Sequence, residues 1–261
     1  MIDLEMAKNA FDDYVNQYNL RDKNIQLKKE HTYRVCMQSI NIAKSLELNE
    51  EDTKLAILIA LLHDIGRFEQ IRIYNTFEDS KSIDHALLGV RILFDEGLIR
   101  EFIKEDKYDE IIKKAIYYHN KYEIEECNDK ELLHSKIIRD IDKIDIINIA
   151  VNLNGIKIKS DESPISKKVD ESFKNNKPIR HKDKLTKNDS MLMMLAFIFD
   201  LNFDYSLRYF LDNNYIDLFY SKIENKDIFA KYINIAKEYI ERKCSNVRNK
   251  VFSQKSRRRE I

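Results

Sequence analysis

Residues 49–66 read NEEDTKLAILIALLHDIG. This spacing predicts a helix. Asn49 can cap it, Glu50, Glu51 and Asp52 fill the first turn where the helix dipole favours acids, and Gly66 offers a left-handed stop. Its middle, LAILIALL (55–62), is apolar on every side, so the helix is expected to lie inside a core. His63 and Asp64 stand where that run ends. A charged carboxylate in such a place costs several kcal/mol unless it is paired or bound to a metal.

The rest of the chain repeats the theme of long helices and short polar joints. The 261 residues contain only 4 Gly and 2 Pro, too few for the turns of an all-β architecture, and 43% are apolar, enough for a core. Helices are predicted over about 28–46, 84–97 (Asp84 as cap, Gly97 as terminator), 108–120 and 130–153, with residues 67–82 as a polar loop. Residues 154–189 hold both prolines and many polar side chains, and read as a connector or insertion with a short helix starting near Ser163 and Pro164. From 190 to 261 the chain is again helical and rich in Phe and Tyr. The expected fold is all-α: a helical domain over 1–153, the polar connector over 154–189, and C-terminal helices over 190–261 packed on the same domain. Those last helices either shape a pocket or form a homodimer, and the sequence leaves both open.

Charge and cysteine usage exclude several functions. Lysines and arginines balance acids at 45 each, so no global basic field draws in nucleic acid. The basic KSRRRE stretch (255–260) reads as a solvated tail. Cys36, Cys127 and Cys244 are scattered, with no CxxC pair for a thiolate zinc site. The N-terminus has no apolar signal segment, and the longest apolar runs are too short to span a bilayer. The expected location is cytoplasmic, with no membrane partner.

The chain has six histidines. His31, His63, His85 and His119 fall at or near predicted helix ends, with His31 opening the first helix, so that one end of a bundle could gather them. His134 and His181 read as structural. On the 130–153 helix, a wheel centred on Ile141 puts Ile137, Ile138 and Ile144 on the apolar face, Asp145 about 40° away and Asp142 about 100° away. Arg139 and Lys143 fall outward. The wheel favours Asp145 or Asp142 as an inward carboxylate without choosing between them. A mixed His/Asp set suits Mn, Fe, Co, Ni or Zn, with Mg at a carboxylate-rich site.

A histidine, then the doublet in HDIGR (63–67), then a distant aspartate in RDIDKID (139–145) resembles the HD-domain metal-dependent phosphohydrolases. The resemblance spans His31 to Asp145. It implies that His31, His63, Asp64 and Asp142 bind a divalent metal, with Asp142 chosen because the family ligand precedes a Lys or Arg. His85 and His119 extend the likeness to members holding two ions bridged by the doublet aspartate. NKYEIEEC (120–127) follows His119 where cyclic-dinucleotide phosphodiesterases carry GYP, so the chain departs from that branch. The implied activity is hydrolysis of a nucleotide or other small phosphoester by metal-activated water. Asp64 is the expected catalytic carboxylate, Arg67 a phosphate clamp, and Arg34 a second substrate contact. The rival readings are a regulatory module with a structural metal and a di-iron oxygenase or lyase.

Overall fold

A computed structural model describes residues 2–152 and 160–257. The chain is all-α, with no strand among the described residues. It divides into two compact units, Met1–Asp145 and Ile146–Ile261. Residues 153–159 of the polar segment and the end of the basic tail lie outside the described residues.

The first unit begins with α1 (Leu4–Val15), capped by Asp3, followed by α2 (Lys23–Ser45), capped by Asp22. The capped start of α2 precedes the expected one, so His31 lies inside the helix and does not open it. α3 (Glu50–Leu62) starts as its sequence predicts: the Asn49 side chain accepts from the Asp52 amide at 2.8 Å, and the acidic first turn follows. Leu55, Ala56 and every residue from Leu58 to Leu62 are buried. Each fully buried Leu or Ile contributes about 1.5–3 kcal/mol. α3 packs on α2 and α1.

The end of α3 corrects the expected stop. Gly66 is not in a left-handed conformation; it lies in the first turn of α4 (Ile65–Tyr74), and the chain bends instead at Asp64 (φ −108°, ψ 19°). The predicted loop at 67–82 is therefore helical up to Tyr74, where Asn75 (φ 51°) ends α4. Counting polar residues hid the buried face formed by Ile65, Phe68 and Ile71, which Gln70 joins by bonding to Asp79, Ser82 and Ile83. Gly66 is needed for a close approach. A Cβ there would sit 2.3 Å from the His85 carbonyl oxygen and 2.6 Å from the Gly89 nitrogen, so only glycine lets α4 lie on α5 (His85–Val90).

α5 is capped by Asp84 as expected and runs through a π-helical turn (Arg91–Asp95) to Gly97, whose φ of +79° makes it the predicted terminator. The short α6 (Ile99–Phe102) then packs on α1, and α7 (Asp109–Tyr118) packs on α5 and α3. α8 (Asp129–Asn152) carries the inward aspartates. Arg139 and Lys143 do not point outward on it; both are buried. The Arg139 guanidinium donates to the carbonyls of Tyr118 (2.7 Å) and Lys121 (2.5 Å), tying α8 to the end of α7 and the turn after it. His134 is structural, as expected: it is buried, with Nε2 3.3 Å from Asp52.

In the second unit, α9 (Lys167–Lys174) starts later than Pro164 suggested, with Ser166 at its cap position. α10 (Lys187–Leu195) opens with a reciprocal capping box between Thr186 and Asp189. α11 (Asp204–Asp212), α12 (Tyr215–Lys222) and α13 (Lys226–Arg257) follow. The aromatic residues of this unit form a core: Phe173 meets Phe199 at 4.9 Å and Tyr232 at 5.3 Å, edge to face. The Tyr232 hydroxyl donates to Asp170 at 2.6 Å. Among the described residues, no helix is long and apolar enough to cross a membrane.

Two stability measurements test this reading. Gly66→Ala forces a methyl against backbone and should cost about 1–3 kcal/mol or more, whereas Gly97→Ala, strained but meeting nothing within 4 Å, should cost about 1 kcal/mol; urea midpoints give the order. Burial raises the pKa of Asp170, but Lys174, Tyr232 and Lys231 outweigh it and hold the carboxyl at about 2. With the folded pKa below the ordinary 3.8, its contribution is present above pH 4 and is lost as pH falls toward 2. The stability gap between wild type and Asp170→Asn should therefore be open at pH 6 and close on acidification.

Candidate metal centre

The six residues proposed as ligands come together within the first unit, from five helices or their ends. His31 comes from α2, His63 from the end of α3, Asp64 from the bend, His85 from the start of α5, His119 from the end of α7 and Asp142 from α8. All of them are buried.

They form two sets that share one carboxylate. In the first, His31 Nε2 lies 3.3 Å from His63 Nε2, 3.2 Å from Asp142 Oδ1 and 3.4 Å from Asp64 Oδ2. His63 Nε2 is 3.5 Å from the same Asp64 oxygen. In the second, Asp64 Oδ1 is 3.4 Å from His85 Nε2 and 3.7 Å from His119 Nε2, which are 2.9 Å from each other. Each oxygen of Asp64 thus faces its own pair of imidazoles.

The far side of each ring is occupied. His31 Nδ1 lies 2.7 Å from Asp145 Oδ2, and His85 Nδ1 lies 2.7 Å from Asp79 Oδ2. His63 Nδ1 reaches the Ala60 carbonyl at 2.8 Å and His119 Nδ1 the Ile116 carbonyl at 2.6 Å. The last two contacts follow from helix ends. Ala60 and Ile116 lie in the final turns of α3 and α7, whose carbonyls have no amide partner further along the helix. A histidine just past each end supplies the missing donor. With Nδ1 donating in all four rings, Nε2 is the nitrogen that each ring turns inward. Nitrogen lone pairs and carboxylate oxygens 3–4 Å apart repel one another unless a cation stands among them. This donor set fits a divalent ion, and the Nδ1 partners are the orienting groups that such ligands need.

The electrostatics agree. Burial opposes ionisation of Asp64 and Asp142, but Lys28 and the surrounding histidines at Asp64, and His31 and His63 at Asp142, hold both carboxyls well below the usual range. Burial and Lys28 push His31 down, yet Asp142, Asp145 and Asp64 outweigh them and raise it to about 10. Burial and Arg67 prevail at His85, which falls to about 4. Before any metal is counted, the first set attracts positive charge and the second holds a neutral imidazole.

Arg67 lies at the rim. It donates to Gln70, to the Phe77 carbonyl and to Asp79 at 2.7–2.9 Å, while its buried Nε has no hydrogen-bond partner and sits 3.6 Å from Asp64 Oδ1. Arg34 is not among the ligand atoms; its Nε and a terminal nitrogen hold Asp145 at 2.9 and 3.0 Å. Asp145, one of the two aspartates the wheel left open, therefore lies behind His31, and Asp142 is the one facing Nε2. Sequence reasoning missed Lys28 and Asp79. Lys28 lies one turn before His31, a spacing that could have been noticed. Asp79 sits in an irregular segment, where no periodicity reveals it.

Residues 29–147 match the family model of the HD domain. The match ties this part of the chain to a superfamily of metal-dependent phosphohydrolases, whose members bind divalent metals. No curated protein and no solved structure matches the chain.

The orienting role of Asp145 can be measured. Asp145→Ala leaves His31 Nδ1 without its acceptor, so divalent-metal affinity should fall about 10–100-fold in competition with a chromophoric chelator. Unchanged affinity would show that the ring needs no such support.

Proposed function

We propose that the chain is a metal-dependent phosphohydrolase acting on a nucleotide or another small phosphoester, with two divalent ions held by His31, His63, Asp64, His85, His119 and Asp142. The observation that carries this reading is the division of labour at Asp64, with one oxygen toward each histidine set. A single carboxylate so placed suits a pair of ions better than one. Divalent ions bound there supply Lewis acidity, which lowers the pKa of water from about 15.7 towards 7 and offsets charge on a phosphoryl group.

The chain's own residues do the remaining work. Asp145 and Asp79, with the Ala60 and Ile116 carbonyls, keep the four imidazoles turned with Nε2 inward. Burial of the ligand atoms excludes bulk water and strengthens every charge interaction among them. Asp64 and Asp142 stay ionised and so remain ligands at neutral pH. Arg67 has a partnerless Nε on the Asp64 side and is the residue we assign to a non-bridging phosphoryl oxygen. Arg34, spent on Asp145, orients His31 in this reading.

Protein purified without chelator, assayed for phosphate release from a panel of nucleotides and simple phosphoesters with Mn, Fe, Co, Ni and Mg, tests the proposal. Wild type should turn over at least one of these substrates with at least one of the metals. Asp64→Ala should lose that activity and most bound metal while keeping its far-UV circular dichroism. Full activity in Asp64→Ala refutes the role of the carboxylate, and a wild type inert with every metal refutes the activity.

A further inference from the structure

Lys28 is a charged side chain at the centre that neither the ligand set nor its orienting partners use. Its ammonium lies 2.5 Å from Asp64 Oδ2, and 14% of the side chain is exposed. It also lies 5.4 Å from the centroid of the Phe77 ring. The Arg67 guanidinium lies 5.7 Å from the same centroid, with Nε 3.6 Å from the other Asp64 oxygen. Two cations thus flank one carboxylate, one on each oxygen, and a single aromatic ring touches both.

Their charge balance differs. Arg67 also pairs with Asp79 at 2.9 Å, so its charge is answered outside the ligand set. Among the described residues, the one carboxylate paired with Lys28 is Asp64. The oxygen it uses, Oδ2, is the one that faces His31 and His63. A divalent ion held by that set would draw on Oδ2 and repel the ammonium. Lys28 then stands beside the site with its counterion engaged elsewhere, and its stem is steadied by the Phe77 ring. A cation so placed calls for a ligand anion.

We propose that Lys28 makes this site specific for phosphomonoesters, its ammonium binding an oxygen of a terminal phosphoryl group that carries two negative charges. The inference rests on the phosphohydrolase reading above. A monoester approaches two negative charges at neutral pH, whereas a diester carries one. Lysine is a compact point charge with three donors and can follow one phosphoryl oxygen without the bidentate geometry that arginine imposes. The pair of cations on Asp64 therefore favours the more highly charged group.

The test is a calorimetric titration at pH 8 of inorganic phosphate and, separately, dimethyl phosphate into Mn-loaded protein. Lys28→Met should weaken phosphate binding about tenfold or more and dimethyl phosphate less than about threefold, with bound Mn per chain and circular dichroism as in wild type. Lys28→Arg, which keeps the charge, should recover most of the phosphate affinity. Equal weakening of both anions, or no weakening, overturns the inference. Tighter Mn binding in Lys28→Met with unchanged phosphate affinity also overturns it, because Lys28 would then be only a tethered competitor of the ion. A wild type that binds Mn but cleaves diesters in preference to monoesters overturns the inference and leaves the phosphohydrolase reading standing. A wild type that binds no metal overturns both.

Discussion

Four imidazoles that each give Nδ1 to an oxygen have only Nε2 left to offer, and here all four Nε2 atoms crowd around one carboxylate. This arrangement is unfavourable by itself. It packs ring nitrogens and carboxylate oxygens together away from water, and each ring is prevented from turning away by the bond on its far side. The fold carries that cost because the frame is rigid. α3 is buried along most of its length, α4 rests on α5 where Gly66 admits no side chain, and Arg139 fastens the end of α7 to α8. A cation at the centre would resolve that conflict.

Much of this was legible in the sequence, for reasons particular to each element. Asn49 and Asp84 announce their helices because a cap is a local event, settled within three residues. The HD doublet announced itself because two costly polar groups ended an apolar run. Gly66 was misread because a glycine needed for close approach and one needed for a left-handed turn look alike in sequence; only the position of α5 separates them. Arg139 and Lys143 were misplaced because a wheel knows one helix and not its neighbours, and the carbonyls that welcome Arg139 belong to α7 and the residues after it. Asp145 and Asp142 were inseparable by angle for the same reason. Both face inward, one toward the ring nitrogen behind and one toward the nitrogen in front.

The charges around Asp64 connect structure to chemistry. Asp145 is answered by Arg34 and Asp79 by Arg67, so the orienting carboxylates are largely neutralised where they stand. Asp64 and Asp142 carry the negative charge left for ions, and Lys28 adds a positive charge at the edge. The centre is thus graded from negative at the ligands to positive at the rim, a gradient that suits cations within and a phosphate at the mouth.

The most direct test of the central claim is a crystal structure of the protein grown with Mn, with data collected for anomalous scattering. The account predicts two peaks, one bounded by His31, His63, Asp64 and Asp142 and the other by Asp64, His85 and His119, each about 2.0–2.3 Å from its nitrogen and oxygen ligands. Absence of both peaks, with the imidazoles bonded to water or to one another, would contradict it.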